Sequence, residues 1–205
     1  MAKGKRDGSM EAQILGAAKK IFIAKGMAGA RMQDIADEAG INKALLHYYF
    51  NNKEKLFQVI FLEAANKLFP RVNEIFSADL PLFDKIRLFC EEYLTIISEN
   101  PYLPMFVLNE LHRNPSNFLV KIWKDKSRPN PSAFLAQMET EVRKGTIRNI
   151  GPLQLLINLL SLTIFPFVAK PMIQQTLGLD EWQFRATMEQ RKKEIPEFII
   201  NAIRK

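Results

Sequence analysis

Lys43, Ala44, Leu45, His47 and Tyr48 form the most chemically suggestive cluster in this 205-residue chain. On a short helix they would share the face turned away from the core. A lysine can reach a phosphate or a guanine edge, and the polar rings of His47 and Tyr48 can hydrogen-bond phosphate oxygens or pack on sugars. Leu45 has no hydrogen-bonding group, but it can pack against a thymine methyl. Lys53 opens the next helix, where an ammonium and free backbone N–H groups both favour phosphate. Tyr49 can serve the core as well as a contact, and Phe50 belongs to the core. Enzyme chemistry has no comparable cluster. No Gly-rich phosphate loop or GxSxG elbow occurs, and Glu91-Glu92 and Glu139/Glu141 lack the Glu-x-x-His partners of di-iron bundles. No catalytic residue, metal ligand or cofactor is therefore expected.

The elements that must position these side chains read as helices throughout, with no clean period-two stretch. Ile14, Ala17, Ala18, Ile21 and Phe22 make an apolar stripe on a first helix from Met10 to Lys25, which Gly26 and Gly29 end. A second short helix runs from Met32 to Glu38, with Ile35, Ala36 and Ala39 inward. Gly40 stops it where a left-handed backbone is wanted. Asn42 is a good N-cap for a third helix through Tyr49. Ile41, Leu46 and Phe50 would fill the small core between these helices, together with Phe22. Two short helices joined by a Gly-containing turn describe a helix-turn-helix. The next helix is expected over 53–69, and later ones at 71–78, 81–99, 101–112, 116–126, 131–145, 152–175 and 180–204. Pro166 and Pro171 should bend the long apolar helix.

Composition sets outer bounds. The net charge is +7 and is denser at the front, where residues 1–55 carry ten Lys/Arg against six Asp/Glu. That favours an anionic partner. A single cysteine, Cys90, excludes an internal disulfide, and His47 and His112 fit no zinc spacing. A reducing cytoplasm is the expected compartment. The first nine residues are basic and lack an apolar run, so they are read as a flexible tail rather than a secretory signal. Lys3, Lys5 and Arg6 could form a minor-groove arm, but the solvated tail is the preferred reading. Residues 152–169 are apolar for nearly the length of a membrane span, but Gln154, Asn158 and Pro166 interrupt them. A buried helix fits better, and no membrane is expected as a partner.

The stretch ILGAAKKIFIAKGMAGARMQDIADEAGINKALLHYYFNNKEKLF resembles the DNA-binding region of the TetR family of repressors. Ala17, Phe22, Gly26, Ile35, Ala36, Ala39, Gly40, Leu46, Tyr49, Phe50, Lys53 and Leu56 fit its pattern without a gap, over about residues 12–60. The resemblance implies a dimer whose recognition helices enter successive major grooves of a palindromic double-stranded operator. Lys43, Ala44, Leu45 and His47 would then face base edges and nearby backbone. Tyr48, Tyr49 and Lys53 would hold phosphates, and Gln33 would touch backbone or a base. Three departures stand out. Arg31-Met32 replaces the usual Ser or Thr cap, Asn42 a common Ser, and Leu45 a common Thr.

The expected fold is thus all-α: a tail at 1–9, a three-helix DNA-binding domain at 10–55, and a helical ligand-binding and dimerisation bundle at 56–205. About nine to ten helices are expected in all. The second part is rich in aromatic and Met residues, including Phe83, Phe118, Trp123, Phe134, Phe165 and Phe167, which can make core or line an apolar pocket. The resemblance implies such a pocket for a small apolar effector. Its candidate lining is Phe89, Tyr93, Phe106, Asn109, His112 and Met138. It also implies a homodimer through helices 152–175 and 180–204, whose apolar residues would pack as a four-helix interface. The rival expectation is a helical ligand-binding or adaptor protein without DNA-binding activity.

Overall fold

The computed structural model describes residues 2–113 and 128–205. The helix expected at 116–126, with Phe118 and Trp123, lies outside the described residues, as do the side chains of Lys3, Lys5 and Arg6. Among the described residues there are ten α-helices and no strand. They are α1 (Ala2–Gly29), α2 (Met32–Glu38), α3 (Lys43–Tyr49), α4 (Lys53–Ser77), α5 (Leu82–Glu99), α6 (Leu103–Arg113), α7 (Ser132–Lys144), α8 (Pro152–Val168), α9 (Lys170–Leu177) and α10 (Glu181–Ile203).

The first four helices follow from local sequence. α1 begins at Ala2, so residues 2–9 are helical where a flexible tail was expected. No proline interrupts that stretch, and its two glycines weaken a helix without breaking it. The break comes at Gly26, whose φ of 64° and ψ of 172° leave the helical region. Gly40 takes φ 65° and closes α2. There its N–H donates to the Asp37 carbonyl, and the N–H of Ile41 donates to that of Ala36, at 3.1 and 3.0 Å. Asn42 then caps α3, its Oδ1 accepting from the Leu45 N–H at 2.7 Å. Asn52 does the same for α4, accepting from the Lys55 N–H at 2.8 Å.

α4 departs from expectation in length. Helices were predicted over 53–69 and 71–78, yet one helix continues through Pro70 to Ser77. A proline removes one N–H and crowds one carbonyl, which costs free energy but does not force a stop. Buried Leu68, Val72, Ile75 and Phe76 keep the apolar stripe in phase on both sides of Pro70. Packing outweighs the local penalty here. The apolar 152–175 segment does split as Pro166 and Pro171 suggested: α8 and α9 meet at Ala169 with a bend of 67°. Neither they nor any other single helix among the described residues is long and apolar enough to cross a membrane.

Three buried clusters hold the molecule together. The first joins Phe22 of α1, Ile35 and Ala36 of α2, Leu46 of α3 and Phe57, Ile60 and Phe61 of α4 to Leu103 and Phe106 of α6. The second gathers the far half of α4 with α5, α7, α8 and the end of α10 around Ile86, Phe89, Phe134, Met138 and Leu159. The third is small, with Leu94 and Ile97 of α5 against Phe167 of α8 and Phe184 and Met188 of α10. Each fully buried Phe contributes about 1.5–3 kcal/mol. Because α6 belongs to the first cluster, the helix-turn-helix and the larger bundle share one core.

Candidate nucleic-acid interface

The short helix α3 stands on a single buried anchor, Leu46, with Phe50 closing the core just beyond its end. Lys43, Ala44, His47 and Tyr48 are exposed, and Leu45 is half-buried. Tyr48 is 79% exposed, and its ring meets that of Tyr49 edge-on, with centroids 5.4 Å apart at 87°. Tyr49 is half-buried and packs on the first cluster, so it serves the core and buttresses Tyr48 at once. The Nδ1–H of His47 donates to the Asn51 carbonyl at 3.0 Å. That bond satisfies a carbonyl beyond the helix end and leaves Nε2 without a partner among the described residues. Gln33 is exposed on α2, where its amide nitrogen donates to Asp37 Oδ1 at 2.8 Å.

The basic residues separate into those already engaged and those still open. Lys19 pairs with Glu63, Lys20 with Glu38 and Lys25 with Asp34, at 2.7, 2.8 and 3.0 Å. These pairs fasten α1 to α4 and α2. The Lys25 ammonium holds the Asp34 carboxyl below its usual range, and Glu38 holds the Lys20 ammonium above its own. Asp34 also accepts from the Arg31 N–H at 3.2 Å, half of the capping arrangement that a Ser or Thr would otherwise start. Lys53 is engaged too. Its ammonium donates to the carbonyls of Met27, Ala28 and Ala30 at 2.9, 3.3 and 3.1 Å. An ammonium has three N–H donors, so none is left for a phosphate in this conformation. Expected as a phosphate contact, Lys53 caps the broken end of α1 instead.

What remains is concentrated. Among the described residues of the helix-turn-helix, Arg31, Lys43 and Lys55 form no ion pair. Lys55, exposed in the first turn of α4, was not among the expected contacts, since by charge and position it is hardly distinguishable from Lys53 two residues earlier. Only the hydrogen bonds of Lys53 tell the two apart, and the turn that supplies them is far off in sequence.

The expected effector residues are scattered by the fold. Phe89 and Met138 are fully buried in the second cluster, and Phe106 is buried in the first. Phe89 stacks between Phe76 and Tyr93, at 5.5 and 5.2 Å, which makes it core rather than wall. Asn109 and His112 are exposed on α6. Tyr93 lines a cavity of about 270 Å³ between α4, α5, α6 and α8, and the other five are not among the described residues of its wall. Its other walls include Phe61, Ala64, Leu68, Leu103, Leu111 and Ile164. No composition rule singles these out, because they become neighbours only when four helices pack. Burial pushes the Tyr93 phenol up from its ordinary range.

A family model described as "Bacterial regulatory proteins, tetR family" matches residues 14–60, which span the end of α1 through the first turns of α4. Over 88 residues, 43% of this chain, it is 26% identical to the HTH-type transcriptional activator FasR of Mycolicibacterium smegmatis. Over 44 residues, 22% of this chain, it is 46% identical to the HTH-type transcriptional repressor NicS of Pseudomonas putida. These matches span 40% and 21% of the two relatives' lengths. The fold extends further. The structure of the ketosteroid transcriptional regulator KstR2 of Mycobacterium tuberculosis superposes with a TM-score of 0.68 over 95% of both chains, at 14% identity.

Proposed function

Because the chain belongs to the tetR family of bacterial regulatory proteins, and so to transcription regulators rather than enzymes, we propose that it represses transcription by occupying a palindromic operator as a dimer. A small apolar effector then releases it. The observation that carries the DNA part is the α3 face. Lys43, Ala44, His47 and Tyr48 stand in solvent around one buried anchor, and among the described residues Lys43 has no competing carboxylate. Lys43 would take a phosphate or guanine edge, Ala44 and Leu45 thymine methyls, and His47 and Tyr48 the flanking backbone. Gln33 would meet backbone across the groove. Its bond to Asp37 is exposed and exchanges readily for one to phosphate. Tyr49 holds Tyr48 in place.

Two recognition helices must sit about 34–36 Å apart to read successive turns. The second copy is proposed to pack on α8 and α10, which are among the helices that leave large apolar side chains in solvent. The effector is proposed to enter the cavity under α4 and α6. Phe61 and Leu103 belong both to that cavity and to the core of the helix-turn-helix. From Phe106 the ring contacts run to Phe57 at 4.2 Å and from Phe57 to Phe22 at 4.9 Å, so a shift of α6 meets the base of α1 directly. A ligand that prefers another arrangement of α4 and α6 would shift the population away from the DNA-competent spacing.

Binding of the full chain to duplexes from the promoters beside its own gene, measured across a salt series, tests this function. Sequence-dependent affinity that falls steeply with salt is expected. No duplex affinity at low ionic strength would end the proposal and favour a ligand-binding or adaptor protein.

A further inference from the structure

We propose that the cavity between α4, α5, α6 and α8 takes an uncharged, mainly hydrocarbon molecule with one hydroxyl or carbonyl group, which the Tyr93 hydroxyl anchors. The ligand class stands on the cavity itself; only its link to DNA release rests on the effector role proposed above.

Three observations converge on this chemistry. The volume is about 270 Å³, near the lower edge of the roughly 300–1,000 Å³ of small-molecule pockets, so the guest is small. The space exists because Ala64 and Ala65 put methyl groups where α4 could carry larger side chains. Among the described residues, the wall holds no Lys, Arg, His, Asp or Glu. A carboxylate or ammonium inside would lose its hydration with no opposite charge to replace it, and that penalty is large. An uncharged guest escapes it.

Tyr93 supplies the exception. Its ring is held by stacking on Phe89 at 5.2 Å, and among the described residues its hydroxyl has no hydrogen-bond partner. A phenol at an apolar wall normally finds a partner, since leaving the O–H unmade is costly. Burial keeps the proton on, so the group can donate to a carbonyl or hydroxyl oxygen and accept from a hydroxyl. Among the described residues of this wall, Tyr93 can satisfy one polar group on the guest. The mixed groove elsewhere on the molecule makes a useful contrast. There Lys170, Arg185 and Lys192 are paired with Glu181 or Glu189, and Glu99 and the unpartnered Ser98 hydroxyl also line the groove, so its wall is polar and charged where that of the cavity is apolar.

Calorimetric titration of the full chain with octan-1-ol, octanoate and octylammonium separates the head groups while holding the hydrocarbon fixed. Octan-1-ol should bind at least about ten-fold more tightly than either ion. Tyr93→Phe should weaken octan-1-ol by about three- to ten-fold while leaving the far-ultraviolet helical signal and melting profile in place. Ala64→Trp, which fills the space, should abolish binding. Octanoate or octylammonium binding as tightly as the alcohol would overturn the proposal. So would absence of alcohol binding, or alcohol affinity unchanged in Tyr93→Phe. Titration without DNA keeps the two claims apart: tight alcohol binding that leaves duplex affinity unaltered supports the ligand class while removing the effector role.

Discussion

Lys43 and Lys53 carry the same charge on neighbouring helices, yet their surroundings give them different work. Lys43 has solvent around it and no carboxylate partner among the described residues, so its charge is available to a phosphate. Lys43→Ala should therefore reduce the slope of log affinity against log salt by about 0.9, the value of one phosphate contact. Titrations at several salt concentrations would measure it, and an unchanged slope would remove Lys43 from the interface. Lys53 spends its three donors on the carbonyls of Met27, Ala28 and Ala30, beyond the Gly26 break. Lys53→Met keeps the aliphatic stem and leaves those acceptors unmatched, which should cost about 1–3 kcal/mol of unfolding free energy. Denaturant melts would report that loss, while the salt slope should stay close to that of the parent chain. A slope change as large as that of Lys43→Ala, with no loss of stability, would return Lys53 to the phosphate.

The helices show where neighbouring residues decide a conformation and where packing does. α2, the Gly40 turn and α3 were legible in sequence because a left-handed glycine, an Asn cap and an apolar stripe act within a few residues of one another. The outward face of α3 followed from that periodicity, and the bend within 152–175 from Pro166 and Pro171. Pro70 misled because its effect depends on partners far off in sequence. The effector residues misled more: Phe89, Phe106 and Met138 have the composition of a pocket wall, but only packing distinguishes wall from core. Pro166 shows the same dependence in a testable form. Lacking an N–H, it cannot bond the Leu162 carbonyl four residues earlier, and Arg191 of α10 donates to that oxygen at 2.8 Å instead. Arg191→Met should cost about 1–3 kcal/mol in the parent chain. In a Pro166→Ala background the helix can supply its own donor, so the same change should cost clearly less. A double-mutant cycle in denaturant measures the coupling, and additive effects would show that Arg191 does not serve this carbonyl.

For the molecule as a whole, the question is what covers the apolar surface that one chain leaves bare. Leu153, Ile157 and Phe165 emerge from α8 and Phe198 from α10, between 45% and 64% exposed. α8 is apolar nearly all round, and a helix of that kind is ordinarily buried on more than one side. Among the described residues, the covered side is the one where Leu155, Leu159, Thr163 and Phe167 pack inward. A second copy presenting the same two helices across a two-fold axis would cover the other side in an isologous contact. It would also fix the distance between the two α3 helices, because the helix-turn-helix is joined to the bundle through a shared core. Phe198→Glu places a charge in that contact without disturbing the buried face of α10, where Ile195, Ile199 and Ile200 pack. Sedimentation equilibrium should show a dimer for the parent chain and a folded monomer for the variant. Loss of the linked second half-site should weaken binding to a full palindrome by about a hundred-fold or more, while affinity for an isolated half-site changes little. A monomeric parent, or a variant that remains dimeric, would place the partner surface elsewhere and remove the basis for reading two successive grooves.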